Sequence, residues 1–141
     1  MSEYDTDILV WSEHQAELLR RVAAGEPVNE PPDWANIIEE LGDVGRSELR
    51  SCRSLLRQAL RHMLKAEAWP ISRDAPTWRA DAIDFRRQAR DAFTPSMRQK
   101  IDVAALYADA LAAMPETIDG QPPLPVDIIC PVTLDDLLSE D

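Results

Sequence analysis

DWANIIEELGDVGRSELRSCRSLLRQALRHMLKAEAWP, residues 33–70, is the stretch whose reading decides the fold. Its apolar positions Ile38, Leu41, Gly45, Leu49, Cys52, Leu56, Ala59, Met63 and Ala66 step by three or four residues throughout, the period of one face of an α-helix. Asp33 has the short acceptor side chain that caps a helix start, and Trp69-Pro70 ends it, because a proline pushes the preceding residue out of the helical region. The spacing predicts a single long helix from Asp33 to about Ala68. Gly42 and Gly45 fall inside it and predict either a kink or a close approach of another helix.

Working outward, Asp5 or Asp7 caps a first helix carrying Ile8, Trp11, Gln15, Leu18, Leu19 and Val22, which Gly25 stops. Residues 26–32, with three prolines, connect it to the long helix. Downstream, Thr77 is the expected cap of a third helix with Trp78, Ala82, Phe85, Ala89 and Phe93 on one face. Thr94-Pro95 opens a fourth, through Met97, Ile101, Ala104, Ala108, Leu111 and Ala112, to Pro115. The last stretch holds five of the eleven prolines and reads as extended chain lying along the domain. Thr133 and Asp136 then form a capping-box pair, and Val132 can staple onto Leu137, so a short docked helix is expected there. No strand pattern and no internal repeat is present.

At 141 residues, 45% hydrophobic and 29% charged, this is the composition of one ordinary globular domain, an all-α, four-helix bundle-like one, with residues 1–114 as helical core and 115–141 as a docked proline-rich tail. Cys52 and Cys130 form no metal-binding pattern and suit a reduced compartment, with one bridge between them as the alternative. The acidic N-terminus lacks a signal-peptide pattern and no apolar run reaches the roughly 18 residues of a membrane span, so a cytoplasmic location is expected.

The blocks Asp33-Trp34-Ala35-Asn36-Ile37-Ile38-Glu39-Glu40-Leu41-Gly42, Gly45-Arg46-Ser47-Glu48, Leu60-Arg61-His62-Met63-Leu64-Lys65, Thr77-Trp78-Arg79, Pro95-Ser96-Met97, Tyr107-Ala108-Asp109-Ala110 and the run from Cys130 to Leu138 follow one another in order. In that order the chain resembles the bacterial domain-of-unknown-function family twenty-nine over nearly its whole length. The resemblance implies an all-helical fold with no established activity, substrate or cofactor. Trp69-Pro70 departs from the family pattern, which has an aromatic residue followed later by Gln-Pro.

Charge is distributed unevenly. The net charge of −11 argues against broad binding to nucleic acid or anionic membranes. Yet residues 46–100 carry 13 Lys and Arg against 6 Asp and Glu, while the rest of the chain has 2 against 20. Arg46, Arg50, Arg53, Arg57, Arg61 and Lys65 recur at three or four residues along the long helix, and Arg79, Arg86 and Arg90 along the third. Such a row is a candidate surface for an anionic partner, protein before nucleic acid. Alternatively, the acidic ends of the chain neutralise it, within the molecule or across a dimer, with the long stems covering apolar surface.

Catalytic signatures are sparse. Neither His14 nor His62 belongs to a Glu-x-x-His or His-Glu-x-x-His motif, and no phosphate loop or nucleophile elbow occurs. Packing of the first two helices would set Glu13 and Glu17 level with Glu40 and Asp43, an arrangement able to hold Mg²⁺ through oxygen ligands. It weakly resembles the carboxylate motif of all-helical nucleoside-triphosphate pyrophosphatases, although His14 stands where that family has a second carboxylate. Against this, carboxylates near a helix start are favoured by its dipole, and unliganded acidic clusters are common. His62 is expected to be a packing residue with one hydrogen bond, and Cys52 a small core residue. Of the four tryptophans, Trp69 in its connector is the one expected to be exposed. The function expected on balance is a cofactor-free protein-interaction or regulatory domain, with a homodimer as one form of partner.

Overall fold

The computed structural model describes residues 1–140 and divides the chain into two units, Met1–Arg46 and the residues from Ser47 on. The division falls inside one helix. The described residues are all-α, with no strand beyond one isolated bridge pair.

In the first unit, Ser2 and Asp5 form a capping box that starts a one-turn helix, α1 (Glu3–Thr6). The sequence reading passes over it, although Ser-x-x-Asp is its signature. Asp7 then caps α2 (Ile8–Ala23) by accepting from the Val10 amide, and Gly25 follows with a φ of +75°, the left-handed conformation that ends helices cheaply only at glycine. The first part of α3 (Trp34–Ala68) completes the unit. Its buried side chains are few: Trp11, Gln15, Leu18, Pro32 and Ile37. Polar contacts finish the joint. Trp11 Nε1 donates to Asp33 at 3.0 Å, and the Asp33 amide donates to the Gln15 side-chain oxygen at 2.7 Å.

In the second unit, the remainder of α3 supplies Cys52, Leu56, Leu60 and Leu64 to the core. They pack with Ala89 of α4 (Ala75–Ala92), Met97 and Ile101, Leu106, Tyr107 and Ala110 of α5 (Val103–Ala112), and Leu137 of α6 (Leu134–Leu138). Two boundaries differ from the sequence expectation. The helix expected from Thr77 begins at Ala75, with Asp74 at the cap position and Pro76 in the first turn, where a missing N–H costs nothing. The single helix expected from Pro95 to Ala112 is broken. Residues Pro95–Lys100 form a 3₁₀ turn, Ile101 and Asp102 are extended, and Asp102 caps α5 by accepting from the Ala105 amide. A local side-chain cap wins there over continuous helix, and the break lets Ile101 bury.

The chain after α5 is fastened by its backbone. Asp119 and Gly120 both have positive φ in a two-residue turn closed by reciprocal Ile118–Gln121 hydrogen bonds, the tight-turn conformation that Asp-Gly favours. The Leu124 amide donates to the Ala68 carbonyl at the end of α3, Trp69 Nε1 donates to the Gln121 carbonyl at 2.8 Å, and the Tyr107 hydroxyl donates to the Asp127 carbonyl. Trp69 is therefore buried, contrary to expectation, and Trp34 is the tryptophan left half exposed. The expected capping box at Thr133 and Asp136 forms, and Leu137 is buried beneath it. Among the described residues, no atom outside the local helix backbone lies within 4 Å of where a Gly45 Cβ would stand, and at Gly42 the nearest is the neighbouring Arg46 guanidinium, so within this unit neither glycine meets a close helix approach.

Candidate functional site

The two rows of arginine have different fates. On α4, Arg86 donates through Nε to the Leu137 carbonyl at 3.0 Å and through Nη2 to the Asp136 and Ser139 carbonyls, and Arg90 donates to Ser139 at 2.9 Å. These carbonyls form the C-terminal end of α6, where unpaired backbone oxygens and the helix dipole both attract a cation. Arg98 Nη1 meets the Asp135 carboxylate at 2.7 Å, beside the Phe93 ring. The acidic tail thus does bind arginines, but mostly through backbone oxygens.

On α3 the row fares differently residue by residue. Arg46, in the first unit, pairs with Asp43 and reaches Glu39 at 3.5 Å, and its bond to Asp43 raises its pKa further. Arg53 donates to the Lys100 carbonyl at the end of the 3₁₀ turn. Lys65 lies 5.3 Å over the Trp78 ring, a cation–π contact. Arg50, Arg57 and Arg61 have no carboxylate within 4.0 Å among the described residues. Arg61 and Lys65, one helical turn apart, also edge a recess of about 400 Å³ formed with Ala110, Ala113, Met114 and Pro115. A larger hollow of about 410 Å³, walled by Trp69, Ile71, Ile118 and Leu124, is apolar and gathers no set of reactive groups.

The four carboxylates considered for Mg²⁺ are not gathered into one site. Glu40 accepts from the Tyr4 hydroxyl at 2.6 Å, and that bond pushes the Tyr4 pKa up to about 12, because ionisation would place two anions together. Asp43 pairs with Arg46, Glu17 pairs with Arg20 and Arg21 on its own helix, and Glu13 is exposed. No group of three or more His, Cys, Asp or Glu able to hold a metal occurs among the described residues. The helix-start carboxylates serve local partners instead.

His14 has carboxylates on both ring nitrogens, Glu3 at 2.9 Å and Glu30 at 2.7 Å, which raise its pKa and tie α1, α2 and the connection together. His62 sits as expected: Nδ1 donates to the Gln58 carbonyl at 2.8 Å, and its ring leans on Phe85. Both cysteines are free, Cys52 in the core with its thiol pKa raised by burial. No described helix is long and apolar enough to cross a membrane.

The chain is similar over its full length to an α-helical protein of unknown function from Rhodospirillum rubrum, whose crystal structure was determined at 1.45 Å. The two share 31% identity, the match covers 92% of that protein, and the TM-score is 0.68. No curated protein matches the chain significantly. The family model described as domain of unknown function DUF29 matches residues 3–141. The ordered blocks from Asp33 to Leu138, their all-helical arrangement and this full-length match place the chain in the DUF29 family.

Proposed function

We propose that the domain is a non-catalytic, cytoplasmic protein-interaction module whose α3 basic face, centred on Arg50, Arg57 and Arg61 with Arg53 and Lys65 alongside, receives an acidic segment of a partner protein. The observation that carries this reading is the contrast between the two rows. Arg86 and Arg90 are engaged by the tail, whereas Arg50, exposed, and Arg57 and Arg61, half-buried, have no carboxylate within 4.0 Å among the described residues. An acidic peptide supplies such counter-ions in forked, directional pairs that suit guanidinium. The net charge of −11 opposes a long polyanion such as duplex nucleic acid, whose field would meet the acidic remainder of the chain, while a short acidic segment can stay on the basic face. The two free thiols suit a reducing cytoplasm.

Fluorescence anisotropy with a labelled oligoglutamate peptide tests the reading. The wild-type chain is expected to bind it, more weakly as salt is raised, and Arg57→Glu with Arg61→Glu should weaken binding at least about tenfold. Arg20→Glu, at an arginine paired on α2, should leave it unchanged. No binding at low ionic strength, or equal loss with Arg20→Glu, contradicts the proposal. Preference for a DNA duplex over the peptide would move the function to nucleic acid.

A further inference from the structure

Arg61 belongs to two features at once: the α3 row and the edge of the recess of about 400 Å³ between α3 and the end of α5. It is half-buried and makes no ion pair with the described chain, so its charge is partly stripped of water without a counter-ion. Beyond Arg61 and Lys65 the walls of the recess are apolar: the fully buried Ala110, half-buried Met114 and Ile118, and Pro115. No acidic side chain lines it. An unpaired guanidinium beside a hollow with apolar walls sets this part of the row apart from Arg50 and Arg53, which stand exposed.

We propose, on the reading that the α3 face receives an acidic segment of a partner protein, that the recess is the socket for one aromatic side chain of that segment. The partner is then recognised by a ring flanked by carboxylates, and not by negative charge alone. A recess of about 400 Å³ has room for one ring and part of the backbone that carries it. Its edge favours a ring over an aliphatic chain, because a guanidinium is attracted to the face of a ring and the Met114 thioether to its rim. Charge keeps the flanks of the ring acidic: Arg57, one turn earlier on α3, is half-buried and likewise makes no ion pair with the described chain. Register agrees. A step of four residues along a helix rises roughly 6 Å, and an extended segment returns a side chain to the same side every roughly 6.6 Å. A carboxylate therefore meets Arg57 while the ring two residues on enters the recess beside Arg61. A small aromatic carboxylate would fill the recess but leave Arg57 without a partner, which favours the peptide.

Fluorescence anisotropy with three labelled peptides of equal charge tests the socket: oligoglutamate with a single central phenylalanine, leucine or alanine. The phenylalanine peptide should bind the full wild-type chain at least about tenfold tighter than the alanine peptide, the gain from burying one ring. The leucine peptide should fall about twofold to fivefold short of phenylalanine. Ala113→Trp, at an exposed position on the edge of the recess, should fill it and abolish the phenylalanine advantage, with alanine-peptide binding and helicity unchanged. In the wild type, the Met114 methyl resonance should move upfield with the phenylalanine peptide and stay in place with the alanine one, a readout that needs no variant. Equal affinity for phenylalanine and alanine overturns the socket and leaves the acidic-segment reading standing, whereas no binding of any peptide at low ionic strength takes both. A phenylalanine advantage that survives in folded Ala113→Trp, or an unmoved Met114 methyl, overturns the location. Leucine binding as tightly as phenylalanine overturns the choice of a ring. Displacement of the phenylalanine peptide by an equal concentration of free 3-phenylpropionate gives the recess to a small aromatic carboxylate and overturns the peptide.

Discussion

The arginines of α4 and those of α3 are spaced alike in the sequence and do opposite work. Arg86 and Arg90 are the receptor for the tail: their guanidinium groups reach the end carbonyls of α6 and hold Leu137 over the core. Arg50, Arg57 and Arg61 make no ion pair with the described chain. A run of like charge on a helix therefore says where cations stand but not whether they are engaged. Engagement depends on where unpaired acceptors are brought, and at the end of a short helix those are backbone oxygens.

The comparison sharpens first through the core that both rows flank. Leu56→Ala, at a side chain with no exposed surface beneath the α3 row, should cost about 2–5 kcal/mol in urea unfolding. A smaller loss would mean that the second unit's core is looser than its burial implies. Arg86→Ala comes next, expected to cost about 2–3 kcal/mol, because at least three charge-assisted bonds to backbone carbonyls, two of them part-buried, go unmade, and to open the tail to limited proteolysis. Thr133→Ala, which removes the cap of α6, should cost about 1 kcal/mol in the same assay.

Proton linkage gives a further contrast. The Asp136 pKa is lowered, chiefly by hydrogen bonds from Thr133, so its stabilisation of α6 is present above the ordinary aspartate pKa and is lost as pH falls through the lower folded value. The His14 pKa is raised by Glu3 and Glu30, so its contribution is complete below about pH 6.5, the ordinary histidine value, and is lost as pH rises through the higher folded value. Nuclear magnetic resonance titration should therefore show α1 and the 26–32 connection loosening as pH rises above the ordinary histidine value, and α6 loosening only in acid. Loosening of α6 near neutrality would contradict this assignment.

What could be read from the residues follows the range of the interactions that decide it. The limits of α3 were legible because an aspartate cap and a Trp-Pro stop are local signals. So was α6, whose capping box lies within four residues. The break at Asp102 was hidden because Ile101 and Ala104 stay in helical phase across it, and only the cap bond reveals the competition. The burial of Trp69 was not legible, since its partner carbonyl belongs to Gln121, 52 residues away. The four acidic residues considered for a metal were visible as a pattern, but their local partners Tyr4, Arg20, Arg21 and Arg46 answer to side-chain geometry that spacing does not encode. The α3 arginines were singled out by spacing alone, and which of them stay open depended on where the tail docks. The apolar face of α3 likewise read as one seam from Ile38 to Ala66, with no sign that Ile38 and Leu41 would be exposed.

The account divides the arginines into a row that builds the fold and a row held for a partner, and one pair of melting curves tests that division. The double variant Arg86→Ala, Arg90→Ala should lower the melting temperature by about 10 °C, from a loss of about 3 kcal/mol. The triple variant Arg50→Ala, Arg57→Ala, Arg61→Ala should lower it by no more than about 4 °C, since no ion pair with the described chain is lost and only the half-buried stems of Arg57 and Arg61 give up contacts. Equal destabilisation by the two variants, or a larger loss in the triple, would show that the α3 row is a structural element and would contradict the account.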